Sequence, residues 1–208
     1  MSQQKCKCSL SHASSSTLVS GLVLGSLLIL GVFSTGCSSM PASNSELASL
    51  IERGEYLVSA LGCEDCHTPF EMGPDGPQPD RTRHLSGHPQ DFKLPAPPLQ
   101  EGSPWLWMGA ATNTAFAGPW GISYASNLTP DENTGMGIWT EEMFISAIRT
   151  GKHMGQSRPI MPPMPWQAYS NLTDEDLSAI FAYLRTVRPI SNRVPEYSPP
   201  GRADAGQP

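Results

Sequence analysis

The run Cys63-Glu64-Asp65-Cys66-His67 constrains this chain more than any other feature of its sequence. It has the spacing C-x-x-C-H, which is typical of covalent attachment of a c-type haem. The two thiols can each form a thioether with one vinyl group of the haem, and the histidine that follows is then held at the iron as an axial ligand. The motif therefore predicts haem c attached to Cys63 and Cys66, with His67 bound to the iron.

A C-x-x-C pair also occurs in zinc sites and in redox-active proteins. A structural zinc site usually needs a second pair of ligands at similar spacing, and none follows here. A thioredoxin-like motif needs a βαβ context, which the sequence lacks. Haem attachment is therefore the preferred interpretation. Because C-x-x-C-H occurs once in the sequence, we expect one haem.

The composition indicates a loop-rich protein with few charges. The 208 residues include 21 prolines and 19 glycines, and only 15% of the residues are charged. The formal net charge is −6, and the chain beyond Lys5 and Lys7 is more acidic still. Because phosphate binding needs a basic surface, this charge disfavours nucleic acid as a partner.

Residues 1–36 have the features of an export signal. Two lysines precede an apolar run from Leu18 to Phe33, which is short for a membrane span. Ser34-Thr35-Gly36 then leads to Cys37, and small residues before a cysteine resemble a bacterial lipoprotein cleavage site, although Ser34 stands where leucine is usual. We therefore predict a lipoprotein-type signal peptide, lipidation of Cys37 and a membrane-anchored domain on the periplasmic side. Ordinary secretory cleavage and an uncleaved anchor are the alternatives, and each also places the domain outside the cytoplasm.

The rest of the chain divides into three parts by composition. Residues 37–44 form a flexible Ser/Pro-rich tether, residues 45–190 form the folded domain, and residues 191–208 form a flexible Pro- and Gly-rich tail.

Three stretches of the domain have apolar residues at helical spacing, which predicts helices over 45–60, 140–150 and 174–187. Thr140 and Thr173 are the expected N-caps of the second and third helices, because a threonine oxygen can accept a bond from an unpaired backbone N–H of the first turn. The expected fold class is all-α, with a long Pro-rich insert after the haem motif.

This insert, residues 69–118, shows no sustained periodicity, and its repeated prolines exclude a long helix. So long a stretch is usually functional or wraps around something, here the haem. We expect His84 and His88 to be exposed to solvent rather than to bind a metal. Aromatic residues in and just after the insert could bury against the haem or form a small satellite core: Trp105, Trp107, Phe116 and Trp120.

The second axial ligand is expected in the run Met161-Pro162-Pro163-Met164-Pro165-Trp166. A thioether suits a haem iron opposite histidine, and the prolines stiffen the segment that carries the sulfur. Met161 and Met164 both qualify by their chemistry, and both could instead be gap-filling core residues. His153 is a less favoured candidate.

Together these features resemble the class I cytochrome c family, and more closely the cytochrome c domains that accompany periplasmic alcohol, aldehyde and sugar-acid dehydrogenases. The matching stretches, which cover most of residues 54–195, are CEDCHTP, SNLTPDENTGMGIWTEEMFISAIRTGKH, MPPMPW and LTDEDLSAIFAYLRTVRPISNRVP. The insert matches less well. The resemblance implies that Met164, which precedes Pro-aromatic, is the distal ligand, with Met161 as the weaker alternative. It also implies that the terminal helices cross at Gly54 and Tyr183.

The expected function is that of a single-haem electron carrier, which transforms no substrate by itself. Its partners would be a dehydrogenase donor and an oxidase or another cytochrome as acceptor. One alternative is a fixed cytochrome subunit of a dehydrogenase complex, with the insert as a docking surface. A haem enzyme or gas sensor would need an open sixth site on the iron, and a structural lipoprotein would need no haem at all.

Overall fold

A computed structural model of the chain describes residues 44–98, 102 and 104–201. The predicted signal peptide, Cys37 and the tether up to residue 43 lie outside the described residues. Asn44, predicted to end the tether, is already the first residue of a helix. Within the described part of the chain, no helix has the length and the apolar character that crossing a membrane requires.

Three helices form what we call the helical frame, and all three were predicted from the sequence. They are α1 (Asn44–Ala60), α3 (Glu141–Thr150) and α5 (Asp174–Leu184), while two short helices, α2 (Cys63–His67) and α4 (Trp166–Tyr169), lie between them. The predicted caps are confirmed, because the Thr140 side chain accepts from the Met143 N–H and the Thr173 side chain accepts from the Asp176 N–H. Helix α5 ends three residues before the predicted residue 187.

The first and last helices of the frame pack directly on each other at Gly54. A β-carbon at this position would lie 1.9 Å from the Ala179 carbonyl oxygen and 2.8 Å from the Tyr183 Cβ. Only glycine allows so close an approach of the two backbones. The prediction that the terminal helices cross at Gly54 and Tyr183 is confirmed.

The frame encloses a continuous apolar core, in which Val58 of α1 and Ala179 of α5 are fully buried and Phe144 of α3 packs on Phe181 of α5. Leu85, from the region between α2 and α3, is also fully buried in this core. The region outside the frame is therefore attached to the core and does not stand apart from it.

The all-α prediction is wrong for the region between α2 and α3, which contains two small antiparallel sheets. One is a hairpin of β1 (Phe70–Gly73) and β2 (Gly76–Pro79), and the other has the order β3-β4-β5. The strands of the second sheet are β3 (Met108–Gly109), β4 (Ala115–Gly118) and β5 (Gly121–Tyr124). Such two- to four-residue strands are too short to produce the alternating pattern by which strands are found in a sequence.

The predicted flexible tail is ordered over its first residues. Asn192 is buried, and its side-chain amide donates to the Ser86 and His88 carbonyl oxygens at 2.7 and 2.9 Å. Ser198 exchanges two backbone hydrogen bonds with Ile122, which extends the second sheet. Pro and Gly content alone predicted flexibility here, but the side chain of Asn192 and the backbone of Ser198 both form hydrogen bonds that hold the segment in place.

The expectation of two exposed histidines is also wrong. His88 has no exposed surface, and its two ring nitrogens lie 2.9 Å from Thr114 Oγ1 and 3.1 Å from the Phe92 carbonyl oxygen. His84 is half-buried, with Nε2 3.8 Å from a Glu64 carboxylate oxygen. Both histidines contact residues that lie far away in the sequence. Gly87 and Pro89, which flank His88, give no indication of such contacts.

Candidate haem site

Helix α2 places the three residues of the C-x-x-C-H motif together. Helix α1 ends at Ala60, and Gly62, in the left-handed conformation with φ 69°, turns the chain into α2. Residues three and four positions apart in a helix share a face, so Cys63, Cys66 and His67 lie next to one another. The local sequence therefore folds into the arrangement that the motif predicts.

His67 is buried and oriented by one hydrogen bond. Its Nδ1 lies 2.7 Å from the Ser126 carbonyl oxygen, which can only accept, so Nδ1 carries the hydrogen and Nε2 keeps its lone pair for a metal. Burial lowers the pKa of His67, although the bond to Ser126 opposes this in part. The imidazole is therefore neutral at pH 7, which is the form that binds a metal.

The two thiols are also shielded from solvent and are not joined in a disulfide. Burial raises the pKa of Cys63 to about 11, and burial also raises the pKa of Cys66. Both groups are therefore protonated thiols at neutral pH in the absence of a bound group. Among the described residues, no group of three or more histidines, cysteines and carboxylates is arranged to hold a metal ion.

All the predicted haem-binding residues line one cavity of about 440 Å³, namely Cys63, Cys66, His67, Met161 and Met164. The frame supplies part of its apolar wall through Val58, Phe144, Ile148, Leu177, Ile180 and Leu184. An apolar wall of this kind excludes water from a bound cofactor.

The methionine segment, residues 160–165, is fastened to three parts of the fold. The Ile160 N–H donates to the Gly151 carbonyl at the end of α3 at 2.8 Å, and the Ser123 hydroxyl of β5 donates to the Pro162 carbonyl. Just beyond the segment, the Tyr169 hydroxyl donates to the Leu61 carbonyl at 2.7 Å. These bonds hold the segment, and with it both methionines, in the lining of the cavity.

Several cavity residues were not singled out in the sequence. The charged residues on its lining are Glu132, Arg158, Arg193 and Glu196, and both arginines are exposed. Ser126, which orients His67, acts through its backbone carbonyl and so leaves no signal in the residue type. His153, the less favoured ligand candidate, also lines the cavity, with its ring 5.0 Å from that of Trp139.

Of the four aromatic residues expected near the haem, only Phe116 lines the cavity. Trp105 and Trp107 are 76% and 44% exposed, and Trp120 lies away from the lining. Of the two alternatives for these residues, burial against the haem is therefore wrong for the three tryptophans. Phe116 is distinguished by its place in the middle strand of the second sheet.

The loop after β5 is built on the hydrogen bonds of the Asn127 side chain. Its carbonyl oxygen accepts from the Thr129 N–H and hydroxyl at 3.0 and 2.8 Å, and its amide donates to the Ile190 carbonyl at 2.8 Å. These bonds fix the loop that carries Ser126 beside His67.

The family model for cytochrome c matches residues 51–188, which include all five predicted haem-binding residues. This chain belongs to the cytochrome c family. The crossing of α1 with α5 and the methionine segment are consistent with the class I cytochrome c fold, to which the small sheets of the insert are added.

Three similar proteins are cytochrome subunits of dehydrogenases. The fructose dehydrogenase cytochrome subunit of Gluconobacter japonicus is 30% identical over 171 residues, 82% of this chain and 28% of that protein. The gluconate 2-dehydrogenase cytochrome c subunit of Pantoea cypripedii is 27% identical, over 79% of this chain and 29% of that protein. The cytochrome c subunit of the quinone-type alcohol dehydrogenase of Gluconobacter oxydans is 26% identical, over 82% and 29%. The chain thus spans less than a third of the length of each relative.

Membership of the cytochrome c family implies a covalently bound haem c. The residues present fit such a group: two adjacent thiols, a neutral histidine with a free ring nitrogen, and soft methionine sulfurs on one mostly apolar cavity. These are the side chains that thioether attachment and low-spin iron ligation require.

Proposed function

We propose that this chain is a mono-haem c-type cytochrome that carries electrons from an extracytoplasmic dehydrogenase to a respiratory acceptor. The observation that carries the proposal is the convergence of Cys63, Cys66, His67 and the methionine segment on one cavity. Haem bound there would supply a one-electron iron couple. The protein itself transforms no substrate.

Each site residue has a definite part in this proposal. Cys63 and Cys66 hold the cofactor by two thioethers, and His67 binds the metal through Nε2 while Ser126 prevents its ring from rotating. Met164 provides the second axial sulfur, with Met161 as the weaker alternative. Methionine opposite histidine raises the reduction potential, and the apolar wall from the frame limits access of water.

A dehydrogenase as electron donor is supported by the relatives, which are dehydrogenase subunits by name. An oxidase or another cytochrome is the proposed acceptor, because a carrier must pass its electron on. No nucleic acid is involved in this proposal, in keeping with the acidic net charge of −6.

We also propose that Cys37 carries lipid and anchors the domain on the periplasmic side of the membrane. The small residues that precede Cys37 support this proposal. In a fractionation of cells, Cys37→Ser should move the protein from the membrane to the soluble extracytoplasmic fraction. Retention of the variant in the membrane would contradict lipid anchoring at this residue.

The function is tested by a redox titration of the full chain, exported in a host that attaches c-type haem. We expect one reversible one-electron transition, with no change in the spectrum of the reduced protein when carbon monoxide is added. Cys63→Ala serves as the control and should lose most of its covalent haem. Rapid binding of carbon monoxide by the unmodified protein would instead favour a haem enzyme or gas sensor.

A further inference from the structure

One surface of the insert is both apolar and almost uncharged. Trp105, Leu106 and Trp107 are 76%, 67% and 44% exposed, and Phe92 of the same insert is 42% exposed. Between Lys93 and Asp131 the sequence contains a single charged residue, Glu101. A monomeric soluble protein rarely exposes neighbouring large apolar side chains without a function. We use the name insert surface for Leu106, Trp107 and the small apolar pocket that is lined by residues 94–98 and by strands β3 and β4.

A small pocket lies next to Phe116, whose ring contacts that of Trp107. It has a volume of about 160 Å³ and is formed between the proline-rich stretch 94–98 and strands β3 and β4, with Ile122 of β5. Its lining side chains are all apolar, and it is large enough to receive one apolar side chain from another protein. Tryptophan anchors and an adjacent apolar pocket are the features that dominate the binding energy of stable protein interfaces.

The insert surface is connected to the haem cavity through Phe116. The Phe116 side chain is buried, and this residue lines both the haem cavity and the small pocket. On the surface side, the ring of Trp107 meets that of Phe116 edge-on with 5.8 Å between centroids. A protein bound to the insert surface would therefore be separated from the cavity by the thickness of the small sheet.

The lack of charge indicates the kind of partner. Transient encounters between redox proteins are steered by complementary charges, whereas permanent interfaces are larger and more apolar. With Glu101 as its only charge between Lys93 and Asp131, this stretch of the chain has few charges with which to steer an encounter. It suits a partner that stays bound, and the relatives are named as subunits rather than as free carriers.

We infer that the insert surface is the permanent docking site for the catalytic subunit of a dehydrogenase, which presents an apolar, uncharged face to Leu106 and Trp107. This inference rests on the proposed function and makes it more specific: the protein is a fixed cytochrome subunit, and its electron donor sits over the second sheet.

The test compares two double variants of the full chain, extracted from membranes of its host in mild detergent. Leu106→Ser with Trp107→Ser removes the anchors. Leu47→Ser with Met72→Ser is the matched control, because Leu47 and Met72 are also exposed apolar residues, at 48% and 77%, but lie outside the insert surface. Light scattering gives the mass of each purified species, and peptide sequencing identifies any protein that co-purifies.

We expect the unmodified protein and the control to retain one dehydrogenase catalytic chain, and the Leu106/Trp107 variant to retain at least tenfold less. Equal retention by both variants would overturn the inference. The inference would also be overturned if the unmodified protein purified as a monomer, as a dimer of this chain, or with membrane lipid as its only bound material.

Covalent haem content separates failure of the inference from failure of the proposed function. A haem-loaded protein whose partner is unaffected by the substitutions contradicts only the docking site, whereas a protein without haem contradicts the proposed function itself. Leu106→Asp guards against misfolding, since it leaves the contact between Trp107 and Phe116 in place and adds a charge to the surface. It should release the partner while haem content and the unfolding midpoint stay unchanged.

Discussion

The helical frame and the insert are stabilised in different ways. The frame is held by apolar packing, with Val58, Leu177 and Ala179 buried where α1 meets α5. The insert is held in addition by polar side chains that bond to backbone groups far away in the sequence, as Asn192 does with Ser86 and His88. Removing one apolar contact weakens a core gradually, whereas removing one buried polar group leaves its partners without hydrogen bonds.

The two regions also contribute different parts of the haem cavity. The frame contributes large apolar side chains to the cavity wall, and these exclude water. The insert supplies Phe116 and leads into the loop that orients His67 through Ser126, and these parts need position rather than bulk. The following predictions test this division, from the largest expected effect to the smallest.

The frame should be strongly destabilised when its closest approach is blocked. In Gly54→Val the new side chain would meet the Ala179 carbonyl, from which even a β-carbon would lie only 1.9 Å away, so α1 and α5 must separate. We expect a loss of about 3 kcal/mol or more in the free energy of unfolding, measured by denaturant titration. Glu55→Val, on the exposed side of the same helix, should cost far less, and equal losses would show that the crossing is not tightly packed.

The methionine segment is hydrogen-bonded both to the frame and to the second sheet. It bonds to Gly151 at the end of α3 and to Ser123 of β5. Met164→Ala should keep the haem attached, lower the reduction potential and let carbon monoxide bind, because the thioethers remain while the axial sulfur is lost. Met161→Ala is the matched control and should change the potential much less. The opposite ranking of the two variants would identify Met161 as the ligand.

The insert should loosen without the frame when its buried amide is removed. Asn192→Ala leaves the Ser86 and His88 carbonyls and the Gln90 N–H without this partner, which should cost about 1–3 kcal/mol. Hydrogen exchange should become faster in the insert while the amides of α1 and α5 stay protected. Gln167→Ala, at an exposed amide, should have little effect, and uniform loss of protection across both regions would contradict independent stabilisation.

The smallest expected effect is a loss of stability of the insert at acidic pH. Burial lowers the pKa of His88, with partial opposition from its bond to the Phe92 carbonyl. The unfolded chain therefore binds a proton near pH 6.5 while the folded insert does not, so stability is lost as the pH falls below that value. We expect faster exchange in the insert at pH 5.5 than at pH 7.5, and a weaker pH dependence in His88→Gln. An unchanged dependence in the variant would show that another group is responsible.

The same contrast explains which parts of the molecule could be predicted from the sequence. Helix periodicity, the Thr140 and Thr173 caps and the haem motif are local patterns, and each is found where it was expected. The crossing at Gly54 was implied by a family resemblance and is confirmed. His88, Asn192 and the short strands were missed, because their partners lie far away in the sequence and no periodic pattern marks them.

The central claim is that Cys63, Cys66, His67 and Met164 together bind one haem c. The most direct test is the visible spectrum of the exported full chain, oxidised and reduced, followed by treatment with alkaline pyridine. We expect the spectrum of haem joined by two thioethers at one haem per chain, and in the oxidised protein a charge-transfer band from methionine to ferric iron. A chain exported by a competent host without covalent haem would contradict the claim, and covalent haem with high-spin iron and no such band would contradict the assignment of Met164.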